Sequence, residues 1–552
     1  MKFYFYLLAT LFAASNLYSL NYSFVEDTIK AGEVLVGESK TLQVTITNNT
    51  ESKLNLIDLK EFDDYDYYSV EFKPASIDPN ASIDLLVTVE PRHNIDTYLN
   101  LFIKFNLDDN SFQYFPITIF TKGVLANPYY NSTQNLWGSQ LFTALQNLIK
   151  GHTSFTYKQA RTIIWTGVDR TDGSVECIYT GRKKAVADVP DFEQYDSDGF
   201  NTEHVWPRAY GADDEPELSD MFHIYPSFKT ANTKRDNYPF DYVTSNVAYE
   251  DNGSKLGKNS KGQIAFEVRD ISKGNIARSI FYFATRYGNI ENNLDNQEAT
   301  LREWNLLDSP DQKESSRNDS IFIYQKNRNP YIDFPGFLER MPSLTEGGGE
   351  IPNYSKVFQI DTLYQFVGLV KEDELKLETY LYNKGNVPAK INSLELIPYD
   401  KSFRFDLQKI SSSIQPNSYH TAYIIYDAKA NDGKSVNDTV TIRLELSNGE
   451  IFNQKYVVMA TINSIEEQLS EGTELINNPS NLEQTIIIPN NFDLTYASFN
   501  LVNLNGEEIY SNSLNEKMIN LAKLKINIEN GTYIVNIKNN KYSISKKIIV
   551  IK

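Results

Sequence analysis

One succession of strand, polar turn and strand occurs twice in this chain. TNNTESKLNLIDL (47–59) aligns with YNKGNVPAKINSLEL (382–396), and SIDPNASIDLLVTVEP (76–91) aligns with SIQPNSYHTAYIIYDA (413–428). In both copies apolar and polar residues alternate, the period of a half-buried strand, and a Pro-Asn pair marks the break between runs. Two copies of one strand-rich plan imply at least two cores, and 552 residues are enough for several domains. The 36 Tyr and 31 Phe, against 4 Trp and 5 Met, suit the same half-buried pleated surfaces.

The repeats predict β-sandwich modules of immunoglobulin-like type over residues 21–125 and 356–463. Between them the period changes. LFTALQNLIK (141–150) and NIARSIFYFATRY (275–287) carry apolar residues at helical spacing, whereas RTIIW (161–165) and VECIYT (175–180) read as strands, so 126–345 is expected to be α+β. TEGGGEIPNYS (345–355) closes this segment, with a Gly-Pro linker expected at 346–355. Residues 470–552 form another small β unit. Its Asn478-Pro479 start, a strand ending Asn503…Gly506, a Gly531…Tyr533 strand and a lysine-led last strand resemble the C-terminal sorting domain of type IX secretion cargo.

Residues 1–20, MKFYFYLLATLFAASNLYSL, place a lysine before a short apolar run and small residues, the pattern of a signal peptide rather than a membrane span. An exported chain with a single cysteine has no internal disulfide, so stability must come from packed cores or bound metal. Cys177, in an apolar run, reads as a buried small hydrophobe. The formal charge of −19 argues against a passive nucleic-acid scaffold. Residues 126–345 hold 24 basic and 30 acidic side chains, so most of that excess lies elsewhere and a basic cleft in the middle segment is compatible with it.

The chemistry concentrates in NTEHVWPRAYG (201–211) and SDMFHIYPSFKTANTKRDNYPFD (219–241), which hold two of the five histidines, His204 and His223. There is no HExxH or HxxEH zinc pattern, no GxSxG elbow and no GxxxxGK[ST] phosphate loop. What remains is a Glu-His pair ahead of a segment rich in Asn, Lys and Arg. Phosphodiester hydrolysis needs a base for water, a cation for phosphate and leaving-oxygen charge, and a grip on substrate. An imidazole suits the first, and one carboxylate with one amide oxygen suits Mg²⁺. Taken singly, His204 also reads as a satisfied core or surface histidine, and Asn232 and Asn237 as turn caps.

EHVWP (203–207), DMFHIYP (220–226) and NTKRDNYPF (232–240), followed by KGNIARSIFYFATRY (273–287) and NRNPYIDFP (327–335), resemble in order the motifs of the bacterial endonuclease I family. The resemblance spans about residues 126–340. It implies a ββα-metal (His-Me finger) nuclease domain, with His204 as general base and Glu203 and Asn232 as metal ligands. Phe222 and Thr233 depart from the family's histidine and glycine at those places. The family's phosphate-clamping arginine has no evident counterpart, because the loop after the Glu-His strand is short. Arg235 and Arg208 are candidates for it; Arg278, with Tyr282 and Arg286 four apart on one face of the 273–287 helix, reads either as lining the cleft or as the salt-bridged side of a core helix.

The expected architecture is therefore multidomain: an α+β ββα-metal nuclease domain flanked by immunoglobulin-like β-sandwiches, then a small C-terminal β-sandwich sorting domain. The expected activity is secreted, metal-dependent, nonspecific cleavage of DNA, and of RNA as a further substrate. Mg²⁺ is the expected ion, with Mn²⁺ and Ca²⁺ as alternatives, and the secretion machinery is the partner of the last domain. Two rivals stay open: an extracellular binding or adhesion protein with an inactive nuclease-like centre, and a phosphodiesterase for another substrate.

Overall fold

The computed structural model describes residues 28–550, apart from 63–66, 107–111, 354–355, 361–362, 370–373, 398–401, 407–412, 428, 431–435, 463–472, 477–484, 489–491, 525, 527 and 541–542. The expected signal peptide and the Asn478-Pro479 start lie outside the described residues. The chain is multidomain and mixed, with many small sheets and a helical centre. Among the described residues no helix is long and apolar enough to cross a membrane.

The first region holds strands β1 (Thr28–Leu35), β2 (Lys40–Thr47), β3 (Leu54–Phe62), β4 (Tyr68–Glu71), β5 (Ala75–Ile77), β6 (Ser82–Val89), β7 (Asp96–Asn106) and β8 (Phe112–Val124). They form two sheets, ordered β1-β8-β7-β3-β5 and β2-β6-β4, whose inward residues share one apolar core. Alternation along β6 sends Leu85, Val87 and Val89 inward, as the sequence period requires.

The repeat is legible in hydrogen bonds. Asn48 Nδ2 donates to the carbonyls of Ser52 and Ile77, and its Oδ1 accepts from the Thr50 N–H. Asn383 Nδ2 donates to the carbonyls of Val387 and Ile414, and its Oδ1 accepts from the Gly385 N–H. The Pro-Asn turns match too, with Asn80 and Asn417 at φ 63° and 51°, where asparagine is tolerated. In each copy the N–H of that turn asparagine bonds back to the carbonyl of the buried one, Asn48 or Asn383. Phe102 and Tyr114 of the first copy pack with Ile360, Tyr380 and Tyr382 of the second.

The centre carries α1 (Gly138–Ile149), α2 (Tyr157–Ile163), β9 (Ser174–Glu176), β10 (Lys183–Ala185), α3 (Phe192–Ser197), β11 (Phe200–His204), β12 (Ile224–Phe228) and α4 (Lys229–Arg235). A three-stranded sheet follows over Ser245–Asp251, Ser254–Lys258 and Ile264–Glu267. Then come α5 (Lys273–Tyr287), α6 (Glu298–Leu307) and α7 (Gln312–Gln325). The 141–150 and 275–287 helices are present as expected. RTIIW is not a strand: it ends α2 and continues into a π-helical turn over Ile164–Val168. A capping box between Thr156 and Gln159 starts that helix and satisfies its first donors, overriding the β propensity of the Ile-Ile pair. VECIYT is a strand only through Glu176; after that the chain turns, the Gly181 N–H bonding the Cys177 carbonyl.

Helix α5 is buried on nearly every side, with Ile276, Ile280, Phe281, Phe283 and Ala284 in a core that also holds Trp165, Trp206 and Trp304. Cys177 lies in the same core, its sulfur accepting from the Phe228 N–H. The Gly-rich stretch after this domain docks on α1: the Ser139 N–H bonds the Gly349 carbonyl, and a Cβ on Gly348 would lie 2.4 Å from the Gly138 carbonyl oxygen.

Candidate active site

Strands β11 and β12 run antiparallel, pairing Glu203 with Tyr225 and His204 with Ile224, and α4 leaves directly from the end of β12. The unit is two strands and a helix. It brings the Glu-His pair at the end of β11 beside α4, whose Asn232 side chain bonds back to β11.

Glu203 is 2% exposed. Its Oε1 accepts the Tyr179 hydroxyl at 2.6 Å and lies 3.3 Å from Arg235 Nη1. Burial raises its pKa to about 7 against the opposing pull of Arg235, the Tyr179 hydroxyl and the His204 N–H. Desolvation wins because the site is nearly closed to water. A carboxylate in that state gains by a cation held against it.

His204 Nε2 lies 3.0 Å from the Leu218 carbonyl. A carbonyl only accepts, so Nε2 carries the proton and Nδ1 keeps its lone pair. Burial lowers the pKa of His204 to about 3, helped by the neighbouring His223, Arg208 and Arg161 and opposed by the Leu218 carbonyl. The imidazole is therefore neutral at pH 7, the form a base requires. Tyr157 packs on it, ring centroids 5.2 Å apart. His223 is tied in the same manner to the Glu217 carbonyl, so one short turn, Glu217–Ser219, orients both imidazoles.

Asn232 Nδ2 donates to Asn201 Oδ1 at 3.0 Å and to the Thr202 carbonyl at 3.4 Å. Among the described residues no hydrogen bond reaches its Oδ1, which leaves that oxygen for another partner. Among the described residues no group of three or more His, Cys, Asp and Glu is placed to enclose a metal. A buried carboxylate and an amide oxygen nonetheless suit a hard divalent cation that keeps several waters and needs few protein oxygens.

The arginine expectations need correction. Arg278 is fully buried in α5, its Nε 2.8 Å from Glu314 Oε1 and its Nη1 bonded to Asn305 and the Asp308 carbonyl. With every direction occupied and no exposure, it does not line a cleft; burying α5 on all sides required its charge to be answered internally. Arg235 is 2% exposed, and its Nη2 donates to the Val205 carbonyl at 2.8 Å. It braces the end of β11 and faces Glu203, and its burial leaves it closed to a phosphate. Arg208 is exposed, on a short turn after Pro207. The sequence reading missed Tyr179, Tyr157 and Arg161, which come from a turn and a helix far from the Glu-His motif. Only the Tyr in VECIYT and the Arg in RTIIW, in segments read as strands, were available as signals.

The Endonuclease I family profile matches residues 137–336, and that of the secretion system C-terminal sorting domain matches residues 477–551. An extracellular ribonuclease of Bacillus amyloliquefaciens is 30% identical over 248 residues, 40% of this chain and 81% of that protein. The extracellular ribonuclease of Bacillus subtilis (strain 168) is 28% identical over 237 residues, 39% of this chain and 77% of that protein. The fold and its matches define a secreted or cell-surface enzyme that hydrolyses phosphodiester bonds. Within that class, the chain belongs to the Endonuclease I family.

Proposed function

We propose that this protein is a nonspecific endonuclease that cleaves both DNA and RNA, with His204 as general base and Glu203 and Asn232 holding one divalent cation. The observation that carries the proposal is the His204 hydrogen bond to Leu218, which commits Nε2 as donor and frees Nδ1 to take a proton from water. Arg235 and Tyr179 hold Glu203 at the end of β11, and Asn201 and Thr202 hold the Asn232 amide through its nitrogen. A cation bound there, Mg²⁺ in the first instance, would neutralise charge on the phosphate and the leaving oxygen. Arg208, exposed near His204, would meet the nucleic-acid backbone, a grip that carries little base specificity. RNA is included because both relatives are named ribonucleases.

In this reading the nuclease domain covers 126–345, immunoglobulin-like sandwiches cover 21–125 and 356–463, and 470–552 docks on type IX secretion machinery after export. The test is cleavage of plasmid DNA and of RNA by the mature protein with Mg²⁺ or EDTA, beside His204→Ala and Glu203→Ala. Metal-dependent cleavage of both substrates, lost in both variants, is expected. Cleavage by wild type that persists in His204→Ala at an undiminished rate would sink the assignment.

A further inference from the structure

We infer that Arg161, on α2, is the side chain that grips the scissile phosphate, a role that rests on the active-site reading above. Thr202 and His204 are two apart on β11 and so share one face of the strand, opposite Glu203. Arg161 Nε donates to Thr202 Oγ1 at 3.1 Å, which fixes the guanidinium on the His204 side. Its central carbon lies 3.9 Å from the Phe192 ring centroid and 5.3 Å from that of Tyr157, the ring that also covers His204. One hydrogen bond and two aromatic faces therefore hold it, and its two terminal nitrogens are not committed by any of these contacts.

The surrounding arginines are committed otherwise. Arg235, Arg269, Arg278 and Arg317 each answer a carboxylate. Arg161 has no carboxylate within ion-pair distance among the described residues, and it is only partly buried. Its charge is felt at His204, where it helps to disfavour the imidazolium. A half-buried cation with no ion pair, anchored beside the base and feeling Asp196 only at longer range, is suited to an anion brought by the substrate. Arginine fits this better than lysine, because the planar fork stacks on rings and binds two phosphate oxygens at once. Arg208 contributes charge nearby but sits exposed on a three-residue turn, and so is less preorganised.

The test uses Arg161→Gln and Arg161→Lys in the full mature chain. Catalysis is measured in the active protein, and binding to a short DNA duplex over a range of salt concentrations is measured in the His204→Ala background. Arg161→Gln is expected to lower kcat/KM about 10²-fold, the usual effect of losing one preorganised donor. It should also reduce the slope of log affinity against log salt by about 0.9, the loss of one phosphate contact. Arg161→Lys should keep the slope and recover only part of the rate. An unchanged slope in Arg161→Gln overturns the phosphate contact, whatever the rate does. If the Gln variant does not fold, Arg161→Lys decides alone: a wild-type kcat/KM overturns the proposal. A wild-type protein that cleaves nothing would defeat the nuclease reading itself, whereas cleavage indifferent to Arg161 defeats only this assignment.

Discussion

His204 and Leu218 are joined by a 3.0 Å hydrogen bond from imidazole Nε2 to a backbone carbonyl, and that contact decides which nitrogen of His204 can act as a base. The carbonyl belongs to the Glu217–Ser219 turn, 14 residues away along the chain. His204→Ala should lower kcat about 10²–10⁴-fold, the contribution of a positioned general base. His204→Asn should be nearly as slow, because an amide cannot accept the proton. Single-turnover rates on plasmid DNA would show this, and a His204→Asn enzyme at wild-type rate would exclude the role.

Tyr179→Phe removes the hydroxyl donated to Glu203 Oε1 and little else, since the ring stays packed against Phe266. Loss of a residue that orients a metal-binding carboxylate typically costs about 10–100-fold in metal affinity or activity. The expected result is a Mg²⁺ titration of activity shifted to higher concentration by that factor, with a normal plateau. A plateau reduced without any shift would mean that Tyr179 acts elsewhere.

Arg278→Met tests the buried ion pair with Glu314. Removing one partner leaves an uncompensated buried carboxylate, a loss of about 3–5 kcal/mol in stability. Urea unfolding should show that loss, while kcat of the folded enzyme stays near wild type because Arg278 is remote from solvent. The double variant Arg278→Met/Glu314→Leu should recover much of the stability.

Asp220 supplies the pH dependence. Burial alone would raise its pKa, but His152, His223, the Phe222 N–H and the Gln325 amide overcome this and hold it below the ordinary carboxylate value. Tyr282 and Tyr287 donate to the same carboxylate. A depressed folded-state pKa contributes stability that is fully present above the unfolded value of about 3.9 and is lost as pH falls through the folded value. Denaturant titrations from neutral to acid pH should show that loss on the acid limb. Asp220→Asn should be less stable at neutral pH and lose less on acidification.

Asn48→Ala and Asn383→Ala should each destabilise their own β region by about 1–3 kcal/mol, since each strands buried carbonyls that the amide had satisfied. Equal effects in the two copies would match their shared hydrogen-bond pattern, and hydrogen exchange at the flanking strands would separate them.

Much of this was legible in the sequence, and the failures have definite causes. The repeat could be aligned by eye because its turn asparagines and alternating strands recur at like spacing. The Glu-His pair, its placement on a strand and the following Asn-bearing helix came from motifs in which neighbours in sequence are neighbours in space. RTIIW misled because β-branched residues resemble a strand until the capping box upstream is weighed. The face of α5 bearing Arg278, Tyr282 and Arg286 fits either the salt-bridged side of a core helix or a cleft lining, and the sequence could not choose: Arg278 and Tyr282 are fully buried because their partners, Glu314 and Asp220, come from distant segments.

The sequence by itself determined the class of enzyme, the place of the nuclease segment ahead of the sorting domain, and the strand and helix that carry Glu203, His204 and Asn232. Only the tertiary structure decided which nitrogen of His204 is free, what holds Glu203, and which arginines are paired with carboxylates. Those properties depend on burial and on contacts between segments far apart in the chain, such as Tyr179 with Glu203, Leu218 with His204 and Glu314 with Arg278. Periodicity and local motifs carry no record of such pairings, because desolvation and charge pairing are properties of the packed protein.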